Sequence, residues 1–437
     1  MIDFTLERIR ALCGKLNDPQ DELNVIHIAG TNGKGSVAAF LSSVLKESGL
    51  KVGTYTSPAV FSDEEVIRVN GRPITKKEMK EGLGEIFGYA KELYPDASVS
   101  EFEALTALAF RYFREKQCDV AVIEAGMGGE LDATNIVKGT KVCVFTPISR
   151  DHTEYLGGSL HKIASNKAGI LKPGCIALSA GQPPEALSAL EERAKALAVP
   201  FLTVDPSAYT VKYDRRKHLM SIDLSVGENV LKDLPVPLPG KHQAQNAALA
   251  VTAARLLFGK CPELSLKIPQ AGLHNMQDPN LPTVRMIRKG LHNTKHPGRF
   301  EILSEAPVII LDGAHNIGGA AVLKETLGQY YGGRRIIGIA GMLKDKDHEA
   351  VFGELAPCLS RLFTISTFGE RGYDSSSLAA DAPEEISDVT SIGGLEEAIE
   401  LALLSAGKKD VILIFGSLSI LKAAKRYIGK LASKESR

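Results

Sequence analysis

The sequence predicts an α/β protein: a doubly wound parallel sheet, followed by a second, smaller α/β domain. Three observations carry this. Continuous apolar runs at 25–29, 119–124 and 141–146 suit strands buried on both faces. Between them apolar residues recur at helical spacing, as at Val37, Phe40, Leu41, Val44 and Leu45. The alternation lapses in a polar stretch, 262–295, and resumes at Pro297, and 437 residues exceed what one hydrophobic core serves. The expected domains are 1–296 and 297–437.

From the start of the chain, residues 1–10 read as an amphipathic helix with early acids, not as a signal peptide. No apolar run approaches membrane-spanning length, so a cytoplasmic protein without a membrane partner is expected. Lys+Arg and Asp+Glu stand at 52 each, which leaves no bulk charge for nucleic acid. Six widely spaced cysteines without a C-x-x-C pair suggest reduced core thiols.

The organising stretch is 24–36. A buried strand (Val25, Ile26, Ile28, Ala29) runs into Gly30, Thr31, Asn32, Gly33, Lys34, Gly35 and Ser36, and a helix follows. Glycines there let successive N–H groups turn toward an anion at the positive end of the helix. Lys34 can reach outer phosphates, and the Ser36 hydroxyl can ligate Mg²⁺. The spacing departs from G-x-x-x-x-G-K-[ST], and a plain βα turn is the alternative reading.

Further on, 51–58 and 67–71 read as strands, Thr75 opens a surface helix, and 98–116 holds a helix packed through Phe102, Leu105, Ala109, Phe110 and Phe113. Residues 209–238 alternate like an antiparallel hairpin, Lys241 opens an alanine-rich helix, and 262–295 reads as a linker. In the second domain 308–311, 335–340, 361–365 and 411–415 read as strands.

Ligands of such sheets sit beyond the carboxyl ends of the strands. Ser57, Glu124, Asp151 and His152 can therefore converge with Ser36. Glu124 is either a metal ligand or bonded to turn amides, and Asp151 and His152 could simply cap a helix. Taken alone, Lys167 reads as a surface lysine. Asp312 and His315 occupy a strand-to-helix turn, with capping by Asp312 or Asn316 as the competing account. Arg299 can clamp phosphate or form a surface ion pair. Residues 344–347 look like a solvated charge run, and Gly416 with Ser417 like a helix start.

Together these stretches resemble the folylpolyglutamate synthase and dihydrofolate synthase family of the Mur ligase superfamily. The match runs through 30–36, 56–58, Phe102 and Glu103, 124–129, 131–135, 151–153, 167–170, His242, Gln243, Asn246, 297–299, 312–316, 345–347 and 416–418. It implies a P-loop-type N-terminal ATPase domain and a Rossmann-like C-terminal domain that closes over the nucleotide. The implied activity joins L-glutamate to dihydropteroate or a reduced folate through an acyl phosphate made from ATP. Dihydrofolate synthesis and polyglutamate extension are both implied.

On that resemblance Thr31, Asn32, Gly33, Lys34, Gly35, Ser36, Asn246, Arg299 and Asp312 would bind ATP. Ser36, Ser57, Glu124 and His152 would hold Mg²⁺. Phe102, Glu103, Leu131, Asp132 and Ala133 would line a pteroate pocket, and His315 and Ser417 would meet glutamate. Lys34, Lys167 and His315 would be catalytic, Lys167 as a carbamate formed with CO₂, in a monomer. The chain departs from the usual family pattern at Ala59, Glu65, Val66, Glu130, Asn166 and His296. A Mur-type peptidoglycan or other amino-acid ligase, and a nucleotide switch without ligase turnover, are the alternatives. Phe102, Glu103 and 131–135 favour folate.

Overall fold

The computed structural model describes residues 5–95, 98–151, 153–214, 219–227, 229–267 and 281–435. The chain divides into two compact units. One comprises Met1–Asp214, Leu219–Pro237 and Gln243–Lys295; the other comprises Arg215–His218, Leu238–His242 and His296–Arg437.

The first unit holds β1 (Val25–Ala29), β2 (Val52–Tyr55), β3 (Ile67–Val69), β4 (Arg72–Pro73), β5 (Val120–Glu124), β6 (Thr140–Phe145), β7 (Ile176–Ala180) and β8 (Phe201–Val204). They form one sheet in the order β4-β3-β2-β5-β1-β6-β7-β8. From β2 to β8 in that order the pairing is parallel, and β3 and β4 add an antiparallel edge. β1 and β5 are buried throughout, as their unbroken apolar runs require. The connection from β1 leads toward β2 and the one from β6 leads toward β7, in opposite directions along the sheet. The carboxyl ends of β1 and β6 therefore mark a topological switch point, where such sheets bind ligands.

Apolar helix faces cover the sheet. Ile9, Ile86, Phe110 and Phe113 belong to one core cluster, while Ile163, Leu190, Phe145 and Cys143 belong to another. The helix Glu101–Glu115 begins in a capping box of Ser100 and Glu103. The expected hairpin is a three-stranded antiparallel sheet of β9 (Tyr209–Asp214), β10 (Leu219–Val226) and β11 (Asn229–Val236).

The linker expected over 262–295 is corrected. Pro262–Ser265 and Val284–His292 are helical, and 268–280 lies outside the described residues. The helix Val284–His292 packs on the helix Lys34–Glu47. Ser43 Oγ donates to Gly290 O at 2.6 Å, Lys289 pairs with Glu47 at 2.7 Å, and a Cβ on Gly290 would lie 2.5 Å from Val44 Cα.

The second unit holds β12 (Glu301–Glu305), β13 (Val308–Leu311), β14 (Ile336–Ala340), β15 (Arg361–Ile365), β16 (Val389–Gly393) and β17 (Val411–Phe415) in the order β12-β13-β17-β14-β15-β16. All pairings are parallel except that of β12 with β13. The charge run at 344–347 is not simply solvated: Asp345 forms a two-pronged pair with Arg371, and Asp347 accepts from Ala350 N to cap the helix His348–Leu355. All six cysteines are free thiols. No helix among the described residues is long and apolar enough to cross a membrane.

Candidate functional site

In the first unit the glycine turn after β1 is held from two sides. Gly33 has φ 88°, a left-handed conformation that side chains resist, and a Cβ there would fall 2.7 Å from Asn246 Oδ1. The N–H groups of Thr31 and Asn32 donate to Pro147 O at 3.0 and 3.3 Å. Thr31 Oγ1 donates to Ser149 O and accepts from Ser149 N, both at 3.0 Å, so the turns after β1 and β6 lock together. Gln182 fixes the second turn by donating to Thr146 O and accepting from Ile148 N. Ser36 is buried in the first turn of the helix, and its hydroxyl accepts from Gln243 Nε2 at 3.3 Å. Gln243 Oε1 accepts in turn from Asn246 Nδ2 at 3.0 Å. Asn246, more than two hundred residues further along the chain, thus stands beside the loop that contains Ser36.

Two lysines converge on one carbonyl. Lys34 Nζ donates to Gly30 O and Thr31 O, both at 3.3 Å, and lies 4.0 Å from Glu124 Oε1. Lys167, on the helix Leu160–Ala168, donates to Gly30 O at 2.7 Å. It is buried, so the surface reading of this lysine is wrong. Burial, and then the charge of Lys34, lower its pKa from 10.5 to about 7, against partial compensation by Asp151 and Asp132.

Glu124 is buried at the end of β5, and Ser57 is half-buried where the cis Ser57–Pro58 peptide begins. His152 lies outside the described residues. Among the described residues no group of three or more His, Cys, Asp or Glu side chains is placed to hold a metal. Ser36, Ser57 and Glu124 offer hard oxygen donors, the chemistry Mg²⁺ prefers, at the end of the sheet that also carries the glycine turn. The residues fit that ion.

Phe102 is half-buried with its ring 6.0 Å from that of Tyr55; Leu131 is exposed and Ala133 buried. Both oxygens of Glu103 are engaged structurally: Oε2 accepts from Ser100 N at 2.9 Å and Oγ at 2.7 Å, and Oε1 accepts from Arg8 Nε at 3.1 Å. Asp132 is also turned inward, accepting from Met127 N at 2.8 Å and Thr134 N at 3.0 Å, and burial raises its pKa. Asn166, one of the departures from the family pattern, accepts from Gly129 N at 3.0 Å and so clamps the glycine turn after β5. Gln182 and Asn166 were not singled out for these contacts from sequence; each bonds a segment more than thirty residues away, which no local spacing reveals.

In the second unit the turn after β13 satisfies itself. Asp312 accepts from Phe300 N and Ala314 N, both at 2.8 Å; burial raises its pKa, opposed first by the charge of Arg299. Half-buried Arg299 stands close over the turn, since a Cβ on Gly313 would lie 2.9 Å from its Nη1. His315 Nδ1–H donates to Gly313 O at 2.8 Å. Asn316 accepts from Gly319 N and is the cap of the helix Ile317–Tyr331. Ser417 is buried; its hydroxyl accepts from Ser419 N at 3.2 Å and bonds Ser419 Oγ at 2.8 Å, at the start of the helix Leu418–Glu435.

Comparison with known proteins bears on the family and the fold. Residues 28–254 match the Mur ligase middle domain, and 298–418 match the Mur ligase glutamate ligase domain. The chain is 33% identical over 421 residues to the dihydrofolate synthase/folylpolyglutamate synthase of Bacillus subtilis, covering 94% of this chain and 92% of that one. It is 31% identical over 468 residues to the Mycobacterium tuberculosis protein of the same name, covering 98% and 91%. Among solved structures, Mycobacterium tuberculosis folylpolyglutamate synthase complexed with ADP superposes with TM-score 0.87 at 30% identity, over 98% of this chain and 95% of that one. Escherichia coli FolC in complex with DHPP and ADP gives TM-score 0.82 at 28% identity, over 99% and 94%. By sequence along almost its whole length and by fold, the chain belongs to the dihydrofolate synthase/folylpolyglutamate synthase family of Mur ligases.

Proposed function

We propose that the chain is an ATP-dependent ligase that joins L-glutamate to the carboxylate of dihydropteroate or a reduced folate. The observation that carries this reading is the meeting of Lys34 and Lys167 on Gly30 O, at the mouth of a glycine turn that opens a helix. Lys34 and the helix's positive end favour a polyphosphate there, while burial and then the charge of Lys34 keep much of the Lys167 amine neutral.

A carboxylate resists attack by an amine because its carbonyl is electron-rich and oxide is a poor leaving group. In the reaction the acceptor carboxylate attacks the γ-phosphate of ATP, ADP departs, and an acyl phosphate forms. Lys34 offsets the charge that spreads over the phosphoryl oxygens. The amine of glutamate then attacks the acyl carbon, and inorganic phosphate leaves. Thr31, Asn32, Gly33, Gly35, Asn246, Arg299 and Asp312 serve ATP in this reading. Ser36, Ser57, Glu124 and His152 would hold Mg²⁺, which when bound would supply neutralisation of phosphate charge. Phe102, Leu131, Asp132 and Ala133 shape the acceptor pocket, with Glu103 supporting it through its cap, and His315 and Ser417 receive glutamate. Residues 1–296 form the ATPase domain and 297–437 the ligase domain of a cytoplasmic monomer.

Lys167 fits the carbamate expected of it. Only a neutral amine attacks CO₂, and a pKa of about 7 keeps much of this one neutral near physiological pH. The product is an anion, which removes the clash with Lys34. Degassed, CO₂-free buffer should lower turnover, and bicarbonate should restore it.

The decisive assay measures phosphate release from ATP with glutamate plus dihydropteroate or tetrahydrofolate, against controls lacking either one. Release that requires both supports the ligase. Release indifferent to both would mean a nucleotide switch.

A further inference from the structure

A buried polar chain connects β1 with the glycine turn after β5, and two of its members, His27 and Thr134, have no part in the roles given above. His27 has no exposed surface; its Nε2 is 2.9 Å from Thr134 Oγ1, and its Nδ1 has no hydrogen-bond partner. Thr134 Oγ1 is in turn 2.5 Å from Asp132 Oδ1. The same carboxylate accepts from Met127 N at 2.8 Å and Thr134 N at 3.0 Å.

The direction of the protons follows from these contacts. An ionised carboxylate only accepts, so the Thr134 hydroxyl donates to Asp132 and keeps a lone pair for His27. His27 must then carry its proton on Nε2, leaving only an unpaired lone pair at Nδ1. The reverse arrangement, with a protonated Asp132 donating to Thr134 and Thr134 donating to His27, would put the imidazole proton on Nδ1. That would bury an N–H with no acceptor, the rarer kind of orphan. Burial also keeps the ring neutral, lowering its pKa to about 3, so it offers this one proton and no charge. Burial raises the Asp132 carboxyl, while the Thr134 hydroxyl and the backbone N–H groups pull it back down.

We infer that His27 and Thr134 are positioning residues for the acceptor acid: a relay from β1 fixes Asp132 as the carboxylate that holds the turn at 125–132 in shape. The turn's geometry bears on the pocket directly. The Phe102 ring sits so close over Gly126 that an added Cβ would be 2.6 Å from Phe102 Cζ, and Leu131 and Ala133 flank Asp132 itself. The relay leaves the phosphate contacts alone, because Lys34, Thr31 and Ser36 are held by Gly30 O, the turn after β6 and Gln243. The functional half of the inference rests on the acceptor pocket named under the proposed function; the proton arrangement stands apart from it.

Two measurements on the full chain test it. Nitrogen-15 NMR of His27 should report a protonated Nε2 and an unprotonated Nδ1, and a protonated Nδ1 would overturn the relay. In steady-state assays Thr134→Val should raise KM for dihydropteroate or tetrahydrofolate about tenfold, the effect of one lost buried hydrogen bond, while KM for ATP stays nearly constant. Thr134→Ser should restore the wild-type value. His27→Gln, which keeps an N–H donor, should lie closer to wild type than His27→Leu. An unchanged acceptor KM in Thr134→Val, or an equal rise for ATP, would refute the positioning role. Wild-type enzyme without acceptor-dependent phosphate release would instead sink the ligase reading, and the nitrogen-15 result would still decide the relay.

Discussion

Both units carry polar residues at the carboxyl ends of buried parallel strands, yet they satisfy them in opposite ways. In the first, Lys34 and Lys167 crowd one carbonyl, and one of them is driven toward neutrality. In the second, Asp312 holds two backbone N–H groups, His315 bonds its own turn, and Ser417 caps a helix. The first arrangement stores electrostatic discomfort that a ligand can relieve; the second builds a turn that is complete as it stands. Polar residues at equivalent places in two sheets thus differ in what they offer a ligand: unrelieved charge in the first, groups already engaged by their own turns in the second.

Substitutions can break that contrast. The largest effect is expected at Lys167, in stability and with a definite pH dependence. Its pKa is about 7 in the folded chain against 10.5 as reference, so between these values the unfolded chain holds more protons. Wild-type stability contributed by this group therefore rises from pH 7 toward 10.5. In CO₂-free buffer Lys167→Met should stabilise most at or below pH 7, by at most roughly 5 kcal/mol, and its advantage should shrink as pH rises. Chemical denaturation across that range checks it, and a pH-independent difference would contradict the buried charge.

Next comes Lys34→Ala, which removes a charge-assisted contact of about 1.5–3 kcal/mol and should slow turnover by roughly one to two decades. Unchanged turnover would remove Lys34 from the chemistry. In the second unit Asp312→Ala strands two N–H groups and should cost about 1–3 kcal/mol of stability. If Asp312 acted on nucleotide alone, ATP affinity would fall with no change in melting temperature. The smallest effect on stability belongs to Ser417→Ala, about 1 kcal/mol for a lost cap; a glutamate affinity that falls no further than stability would leave Ser417 as a cap alone.

Much of this was legible in the sequence where residues act locally. β1, β5, β13 and β17 are fully buried strands, and their apolar runs announce them. β16 is only half-buried and reads Val-Thr-Ser-Ile-Gly, so no apolar run marks this edge strand. The helix Val284–His292 lies in a largely polar stretch that reads as linker: Arg285, Arg288, Lys289 and His292 mask the helical spacing of Val284, Ile287 and Leu291. At the site, the motif around Lys34 was visible, but the burial of Lys167 was not: its alanine and glycine neighbours suit either an exposed or a packed helix. The His27 relay was equally hidden, since Thr134 lies 107 residues away.

The close approach of Gly290 to Val44 has a consequence for how this chain can vary. Any larger residue at 290 would act as a wedge between two helices, one of which presents Ser36 from its first turn. A position with no chemistry of its own, more than two hundred residues from the glycine turn, is thereby closed to drift as firmly as the turn itself.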